Sequence, residues 1–160
     1  MRAYVYISGA PASSLAIDTN NMIIEYRVWF NWKNVGLTPA MECAMWTSFQ
    51  QVDISQPMPT PFTKAGKKSN TVPLGPKQGI QGASVNISPA NLANIFAGKA
   101  RCYVWGLAEY RDIYSRPDAP IRHTEICLEV IVNVDPSLPV NPAQPPKLFF
   151  QGIEQQNSSS

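Results

Sequence analysis

The sequence predicts an all-β protein, an antiparallel β-sandwich with one short helix. Apolar and polar residues alternate with period two over several long segments, turn-forming residues separate these segments, and only one segment has helical spacing. Period-two alternation is typical of strands that pack one face on a core and expose the other. About seven strands with turn-rich connections favour a sandwich. A small closed β-barrel is the alternative, because closure also removes sheet edges and hydrophobic faces alone do not separate the two.

The clearest strand pattern runs from Ile23 to Lys33, with the sequence IIEYRVWFNWK. Its alternation places five residues on the core face: Ile24, Tyr26, Val28, Phe30 and Trp32. The opposite face is polar except for Trp29. Shorter strands are predicted at Arg2 to Ser8 and Ala83 to Ser88. A longer one is predicted at Met41 to Ile54, with Met41, Cys43, Met45, Thr47 and Phe49 in phase.

A hairpin is predicted from two long segments with strand patterns, Ala100 to Tyr114 and Arg122 to Val134. The connection SRPDAP carries two prolines, which do not donate to a ladder and therefore indicate the tip. Gly106 inside the first strand indicates a bulge or a close neighbour. In the second strand, one face is mostly apolar: Thr124, Ile126, Leu128, Val130 and Val132.

One short helix is predicted in SPANLANIFAGK. Ser88 suits the N-cap, Pro89 the first helical position, and Gly98 the position after the end. Leu92, Ile95 and Phe96 fall on one face.

Two turn regions complete the domain. NVGLTPA (34–40) predicts a turn in which Asn34 and Gly36 tolerate positive φ. Gln56 to Gly79 is loop-like, and its cluster of Lys64, Lys67 and Lys68 is read as a solvated loop, with an anionic partner as the alternative.

The composition shifts after Asp135, where prolines become dense. We therefore predict a β-sandwich domain over residues 1–135. Residues 136–160 are predicted to be a Pro-rich, Ser-ended tail that is largely extended or disordered. Leu148, Phe149 and Phe150 are the tail residues able to dock back onto the domain.

Charge and hydropathy exclude some partners. The net charge of +2 is small, and no basic stripe is interleaved with aromatic residues, which argues against nucleic acid. No apolar run approaches the roughly 18 residues of a membrane span. We see no signal peptide and expect the chain as given to be soluble, with any membrane contact made through an anchor absent from it.

The residues able to carry chemistry are few. Cys43, Cys102 and Cys127 lack metal-site spacing and are read as small apolar residues, although one disulfide is possible in an oxidising compartment. His123 and Cys127 lie about 13 Å apart along one strand, too far for a catalytic dyad. His123, Glu125 and Asp112 are read as a solvated face with ion pairs to Arg111 or Arg122, because a metal site needs more convergent ligands. We therefore predict no enzyme activity, no cofactor and no metal.

Aromatic residues make the better case for a binding site, and the candidates are Trp29, Trp46, Tyr103 and Trp105. Tyr103, Trp105 and Leu107 share one phase of their strand, while Cys102, Val104 and Gly106 share the other. Both faces are apolar, so something must cover the outer one. The helix, the Pro-rich tail, a ligand and a partner subunit are the possible covers.

At RAYVYISG, NVGLTPA and AGKARCYVWGLAEYRDIY…RHTEICLEV the chain resembles a diffuse group of uncharacterised proteobacterial proteins, over roughly residues 2 to 134. In these proteins an N-terminal transmembrane anchor and a polar helical stretch precede RAYV. The NVGLTPA turn is also similar to one in bacterial immunoglobulin-like, adhesion-related modules. The resemblance implies an immunoglobulin-like sandwich held at a bacterial membrane in the parent protein, and it brings no activity or ligand.

The leading functional hypothesis is a non-enzymatic binding or assembly module, the soluble part of a membrane-anchored protein, with a protein partner or self-association. A small-ligand-binding barrel lined by Trp and Tyr is the alternative, and a hydrolase is the third hypothesis.

Overall fold

The computed structural model describes residues 2–57, 66–152 and 158–159. Those residues form an all-β, sandwich-like fold of antiparallel sheets with one helix, which confirms the predicted fold class. The strands do not close into a barrel, so the barrel alternative is wrong for this part of the chain. The immunoglobulin-like assignment stays a prediction.

The elements in chain order are β1 (Val5–Ile7), β2 (Ala12–Ile17), β3 (Ile23–Trp29), β4 (Asn31–Asn34), β5 (Ala40–Asp53), β6 (Lys67–Lys68), β7 (Val72–Leu74), β8 (Gly79–Gln81), β9 (Val85–Ile87), α1 (Pro89–Phe96), β10 (Ala100–Asp112), β11 (Arg122–Ile131), β12 (Phe149–Gly152) and β13 (Ser158–Ser159).

The largest sheet has the order β12-β11-β10-β5-β6, with β7 also on β5 and β13 also on β11. Two three-stranded sheets, β1-β4-β8 and β2-β3-β9, complete the fold. The main core contains side chains from all three sheets, including Val28, Trp32, Met45 and Val104. The large sheet therefore has an inner face against this core and an outer face turned away from it.

The alternation of buried and exposed residues predicted for residues 23–33 holds from Tyr26 onward and fails before it. Tyr26 and Val28 are buried, but Ile24 is exposed and Ile23 is buried in its place. The register with β2 shifts there, because Ala16 faces Glu25 whereas Ile17 faces Ile23. A single extra residue reverses the faces beyond it. The predicted strand is also interrupted at Phe30, which separates β3 from β4.

A second register shift displaces Met41 from the predicted core face. The pairing of β5 with β7 slips between Ala40 and Cys43, and Glu42 has a φ of 52°. Met41 is exposed as a result, while Cys43 and Met45 beyond the shift are fully buried.

The turn at residues 34–40 is held by side-chain bonding and close packing. The side-chain amide of Asn34 donates to the carbonyls of Thr38 (2.8 Å) and Leu74 (3.0 Å), and its oxygen accepts from the N–H of Gly36 (3.0 Å). A Cβ on Gly36 would lie 2.3 Å from the carbonyl oxygen of Arg2. Glycine is needed here for close approach of two backbones, and neither Asn34 nor Gly36 adopts the positive φ that its residue type tolerates.

The predicted helix is confirmed, with one change to its buried face. The hydroxyl of Ser88 accepts from the N–H of Asn91 at 3.2 Å, and Gly98 has a φ of 69°. Leu92 is buried and Ile95 packs beside it, but Phe96 is exposed at the helix end.

The predicted hairpin is confirmed as β10 and β11, with Trp105 opposite Cys127 and Glu109 opposite His123. Residues 113–121 connect the strands. The segment read as a loop from Gln56 to Gly79 contains the short strands β6, β7 and the start of β8, so that interpretation is wrong there, and residues 58–65, with Lys64, lie outside the described residues.

The chain after Asp135 contacts the core at several points. Val140 and Leu148 are buried in it, and the N–H of Val140 donates to the carbonyl of Asn21 at 2.8 Å. The hydroxyl of Tyr26 donates to the carbonyl of Pro146. β12 then pairs with β11, so part of this segment supplies an edge strand. The proposed division at residue 135 stays a prediction.

Candidate binding sites

The four aromatic residues selected from the sequence do not form one site. Trp46 on β5 and Tyr103 and Trp105 on β10 lie on the outer face of the large sheet, because antiparallel pairing puts Trp46 opposite Leu107 and Trp105 opposite Ser48. Trp29 lies on β3, in another sheet, opposite Ala12. The structure therefore brings three of the four together and separates Trp29.

Two of these three are packed within the chain. Tyr103 and Trp105 have ring centroids 6.1 Å apart and, with Cys127, form a small apolar cluster beside Val52. Tyr103 is 2% exposed and Trp105 is 4% exposed in the isolated chain. Other parts of the same chain therefore shield this cluster from solvent. Such intramolecular cover was one of the possibilities that the sequence left open. These two residues are scaffold, and they offer no open binding surface.

The described buried apolar residues of the two structural elements suggested as that cover belong to the main core and not to this cluster. Leu92 of the helix belongs to the main core on the inner side, and so do Val140 and Leu148 of the tail. The helix and this part of the tail therefore close the inner core.

Trp46 lies in a different environment on the same face. It is 9% exposed, packs with Ala44 and Leu107, and has the ammonium of Lys68 5.0 Å from the ring centroid. Lys68 lies directly opposite Trp46 in the β5–β6 pairing. A lysine over a tryptophan face is held by a cation–π attraction of roughly 0.5–1 kcal/mol at an exposed site.

A shallow cavity of about 310 Å³ lies beside Trp46. We call it the Trp46 cavity; its charged lining residues are Glu42, Lys68, Glu109 and Arg111. The guanidinium Nε of Arg111 lies 3.2 Å from Oε2 of Glu42. Arg111 also donates to the carbonyl of Ala119 at 2.9 Å, which fixes the β10–β11 connection beside the cavity. The Trp46 ring is therefore surrounded by charged side chains of both signs.

The possible catalytic residues do not assemble into a site in the described residues. Burial raises the pKa of the Cys43, Cys102 and Cys127 thiols to about 12, and none of the three forms a disulfide. A thiol of that pKa holds its proton at neutral pH and is a poor nucleophile.

The residues that were considered as metal ligands, and rejected, from the sequence are also separated. The carboxylate of Asp112 bonds to Thr38 and Ala3, whereas the residue opposite His123 is Glu109. Within the ranges described, no three His, Cys, Asp or Glu residues are placed to hold a metal ion.

A second, larger cavity was missed from the sequence. Its volume is about 710 Å³, and its lining includes both Arg2, before β1, and Arg122, at the start of β11. The two arginines are far apart in the sequence, and no local pattern joins them. The only available signal was the concentration of charges and prolines between Arg111 and Arg122.

Comparison with known proteins leaves the family open. No protein-family model, no curated protein and no solved structure matches the chain. In the described residues there is no helix with the length and hydrophobicity required to cross a membrane. The two cavities and the residues that line them are therefore the main indications of function.

Proposed function

We propose that this protein is a non-enzymatic binding or assembly module, the soluble part of a membrane-anchored protein, which contacts a protein partner through the Trp46 cavity. The observation that carries the proposal is the position of Trp46 in the lining of this cavity, with the ammonium of Lys68 over its ring and charged side chains beside it. The membrane anchor is the part of the proposal that rests on the resemblance to anchored proteobacterial proteins.

The composition of the Trp46 cavity suits a protein partner. Tryptophan and arginine are enriched among the residues that dominate interface energy, and they act best where a rim excludes water. Lys68 and Glu109 provide such a rim, and Arg111 is oriented by its contacts with Glu42 and Ala119. Because the rim carries both signs of charge, it selects a partner of complementary pattern and does not favour a uniform polyanion.

The state of the cysteines favours binding over hydrolysis. Covalent catalysis needs a nucleophile that is activated by a base or by a lowered pKa. The three thiols have the opposite shift, because burial raises their pKa to about 12. Cys127 is also separated from His123 by four positions along β11.

Site-specific photocrosslinking in the host cell tests the proposal. A photoreactive phenylalanine analogue replaces Thr71, an exposed residue that lines the cavity, or Ser14, an exposed residue on β2 in another sheet. We expect one discrete crosslinked species from position 71 and none from position 14. A product of twice the chain mass would identify self-association, and any other mass would identify a second protein, to be named by mass spectrometry.

Charge reversal of the rim completes the test. Lys68→Glu places a negative charge over Trp46 beside Glu42 and Glu109, so the crosslink from position 71 should fall by about tenfold or more. The control is Lys33→Glu, an exposed charge reversal on β4. Equal crosslinking from positions 71 and 14, or a crosslink that Lys68→Glu does not reduce, would reject the Trp46 cavity as the partner site.

A further inference from the structure

The larger cavity, which we call the arginine cleft, lies at the end of the fold where β10 stops and β11 begins. Its lining includes Arg2, Asp112, Tyr114, Ser115, Ile121 and Arg122. Its volume of about 710 Å³ falls in the range of small-molecule sites, roughly 300–1,000 Å³.

The only carboxylate in this lining is already bound by neutral donors. One oxygen of Asp112 accepts from the hydroxyl of Thr38 at 3.0 Å, and the other accepts from the N–H of Ala3 at 3.2 Å. Asp112 is buried, so these bonds are protected from water. Its carboxylate consequently serves the scaffold by joining three segments of chain beneath the cleft.

In the part of the chain that the structure describes, no side-chain hydrogen bond of this kind holds either arginine of the cleft. Among the described residues the structure gives neither Arg2 nor Arg122 an ion-pair partner. With Asp112 counted, the ionic charges of the lining sum to +1, and the negative charge is the most buried of the three. The accessible surface of the cleft therefore carries positive charge.

The donors in the cleft match a phosphate group. Guanidinium groups form charge-assisted, often paired hydrogen bonds with phosphate oxygens. The hydroxyls of Tyr114 and Ser115 add donors on the same lining. A phosphate ester presents up to three acceptor oxygens in different directions, so it can accept from donors on several walls, whereas a carboxylate presents two in one plane.

The remaining lining suits an organic group attached to that phosphate. Tyr114 is 79% exposed, and Ile121 is also exposed beside it. Apolar side chains next to this end of the fold, Val35, Leu37 and Ile113, are exposed as well. The Thr38–Asp112 bond holds the turn that carries Val35 and Leu37 against the end of β10.

We propose that the arginine cleft binds the phosphate group of an organic phosphate ester, with Arg2 and Arg122 as its ligands and Tyr114 against the organic part. Such a phosphate comes either from a soluble ester or from the headgroup of an anionic phospholipid. The arginine cleft shares the side chain of Ile121 with the Trp46 cavity, but its two arginines do not line that cavity. Substitution of Arg2 or Arg122 therefore tests the cleft without altering the charged lining of the proposed partner site.

The test uses the full chain and defined probes. sn-Glycerol 3-phosphate is titrated by calorimetry, and vesicles of phosphatidylglycerol are compared with vesicles of phosphatidylcholine by cosedimentation. Malonate, a dianionic carboxylate, is titrated in parallel. Arg2→Gln and Arg122→Gln should each weaken binding about tenfold, since each removes charge-assisted hydrogen bonds to the phosphate. The matched control is Arg101→Gln, which removes the same charge from the beginning of β10, the end of the strand opposite to Asp112.

Each outcome decides the proposal. Arginine-dependent binding of glycerol phosphate identifies a soluble ester, and arginine-dependent binding of phosphatidylglycerol vesicles alone identifies a lipid headgroup. Binding of neither probe, equal binding of malonate, or a loss as large in Arg101→Gln as in Arg2→Gln overturns it. Arg2 is exposed and precedes β1, so Arg2→Gln keeps the test valid even if Arg122→Gln lowers stability.

Discussion

The carboxylate of Asp112 accepts a hydrogen bond of 3.0 Å from the hydroxyl of Thr38, 74 positions away in the chain. Both residues are buried, and the second carboxylate oxygen accepts from the backbone N–H of Ala3. One side chain thus joins the turn after β4, the chain before β1 and the end of β10. The floor of the arginine cleft depends on that junction.

Asp112→Ala should lower the free energy of unfolding by about 3 kcal/mol. The substitution leaves two buried donors without an acceptor, and each such loss costs roughly 1–3 kcal/mol. Thr38→Val removes one donor only and should cost about 1–2 kcal/mol. Urea unfolding measures both, with Asp118→Ala, an exposed aspartate in the same connection, as the control. If Asp112→Ala behaves like Asp118→Ala, the junction does not stabilise the fold.

Gly106→Ala should destabilise the protein by about 1–3 kcal/mol, the usual cost of overpacking a core. A Cβ at this position would lie 2.8 Å from Cδ2 of Phe30 and 3.0 Å from Cζ2 of Trp32. Both rings are fully buried and tilted against each other, which leaves them little room to move. Thermal unfolding provides the measurement.

Gly152→Ala is the matched control, since its Cβ would meet nothing closer than a Leu128 methyl at 4.0 Å. Its effect should stay below about 0.5 kcal/mol. A Gly106→Ala variant as stable as this control would show that the core between Phe30 and β10 is loosely packed.

Gly106 shows which features of the fold can be predicted from local sequence. A glycine within a strand indicates a bulge or a close neighbour, and here the neighbour is Phe30, whereas the irregularity of β10 lies between Glu109 and Arg111. Period-two burial was predicted correctly for Val28, Phe30 and Val130, because alternation follows from strand geometry alone. Val132 packs against the core while remaining partly exposed.

Features that depend on pairing between distant strands were not predictable. The shifts at Ile24 and Met41 come from the registers of β2 and β7, which alternation within one strand does not contain. For the same reason, the phase of Trp46 relative to Trp105 required the β5–β10 register. The arginine cleft has both Arg2 and Arg122 in its lining, and no sequence spacing encodes that arrangement.

Stability should decrease as the pH rises from about 9 toward 12. Burial raises the pKa of Cys43, Cys102 and Cys127 from an ordinary value near 9 to about 12. Below pH 9 the thiols are protonated in both states, so their contribution is fully present. Above it the unfolded chain loses these protons first, which favours unfolding. The midpoint of urea unfolding, measured from pH 7 to pH 11, should fall through this window.

A variant with all three cysteines replaced by alanine should show a flatter alkaline decline, although its stability at pH 7 is lower. The decline does not vanish, because burial also raises the pKa of Tyr26 and Tyr110 and their contribution has the same sign. An alkaline slope identical in the two proteins would mean that the thiols are not buried in solution.

Leu148→Ala should cost about 2–4 kcal/mol, whereas Phe149→Ala should cost less than about 1 kcal/mol. The two residues are adjacent, but Leu148 is 8% exposed and belongs to the main core, and Phe149 is 51% exposed on the edge strand β12. Removing a buried leucine loses transfer free energy and leaves a cavity, and truncating an exposed ring does neither to the same extent. Urea unfolding of the pair measures the difference directly. A tail that hung free of the domain would give two equally small effects, so a large difference would place the chain after Asp135 within the cooperative unit.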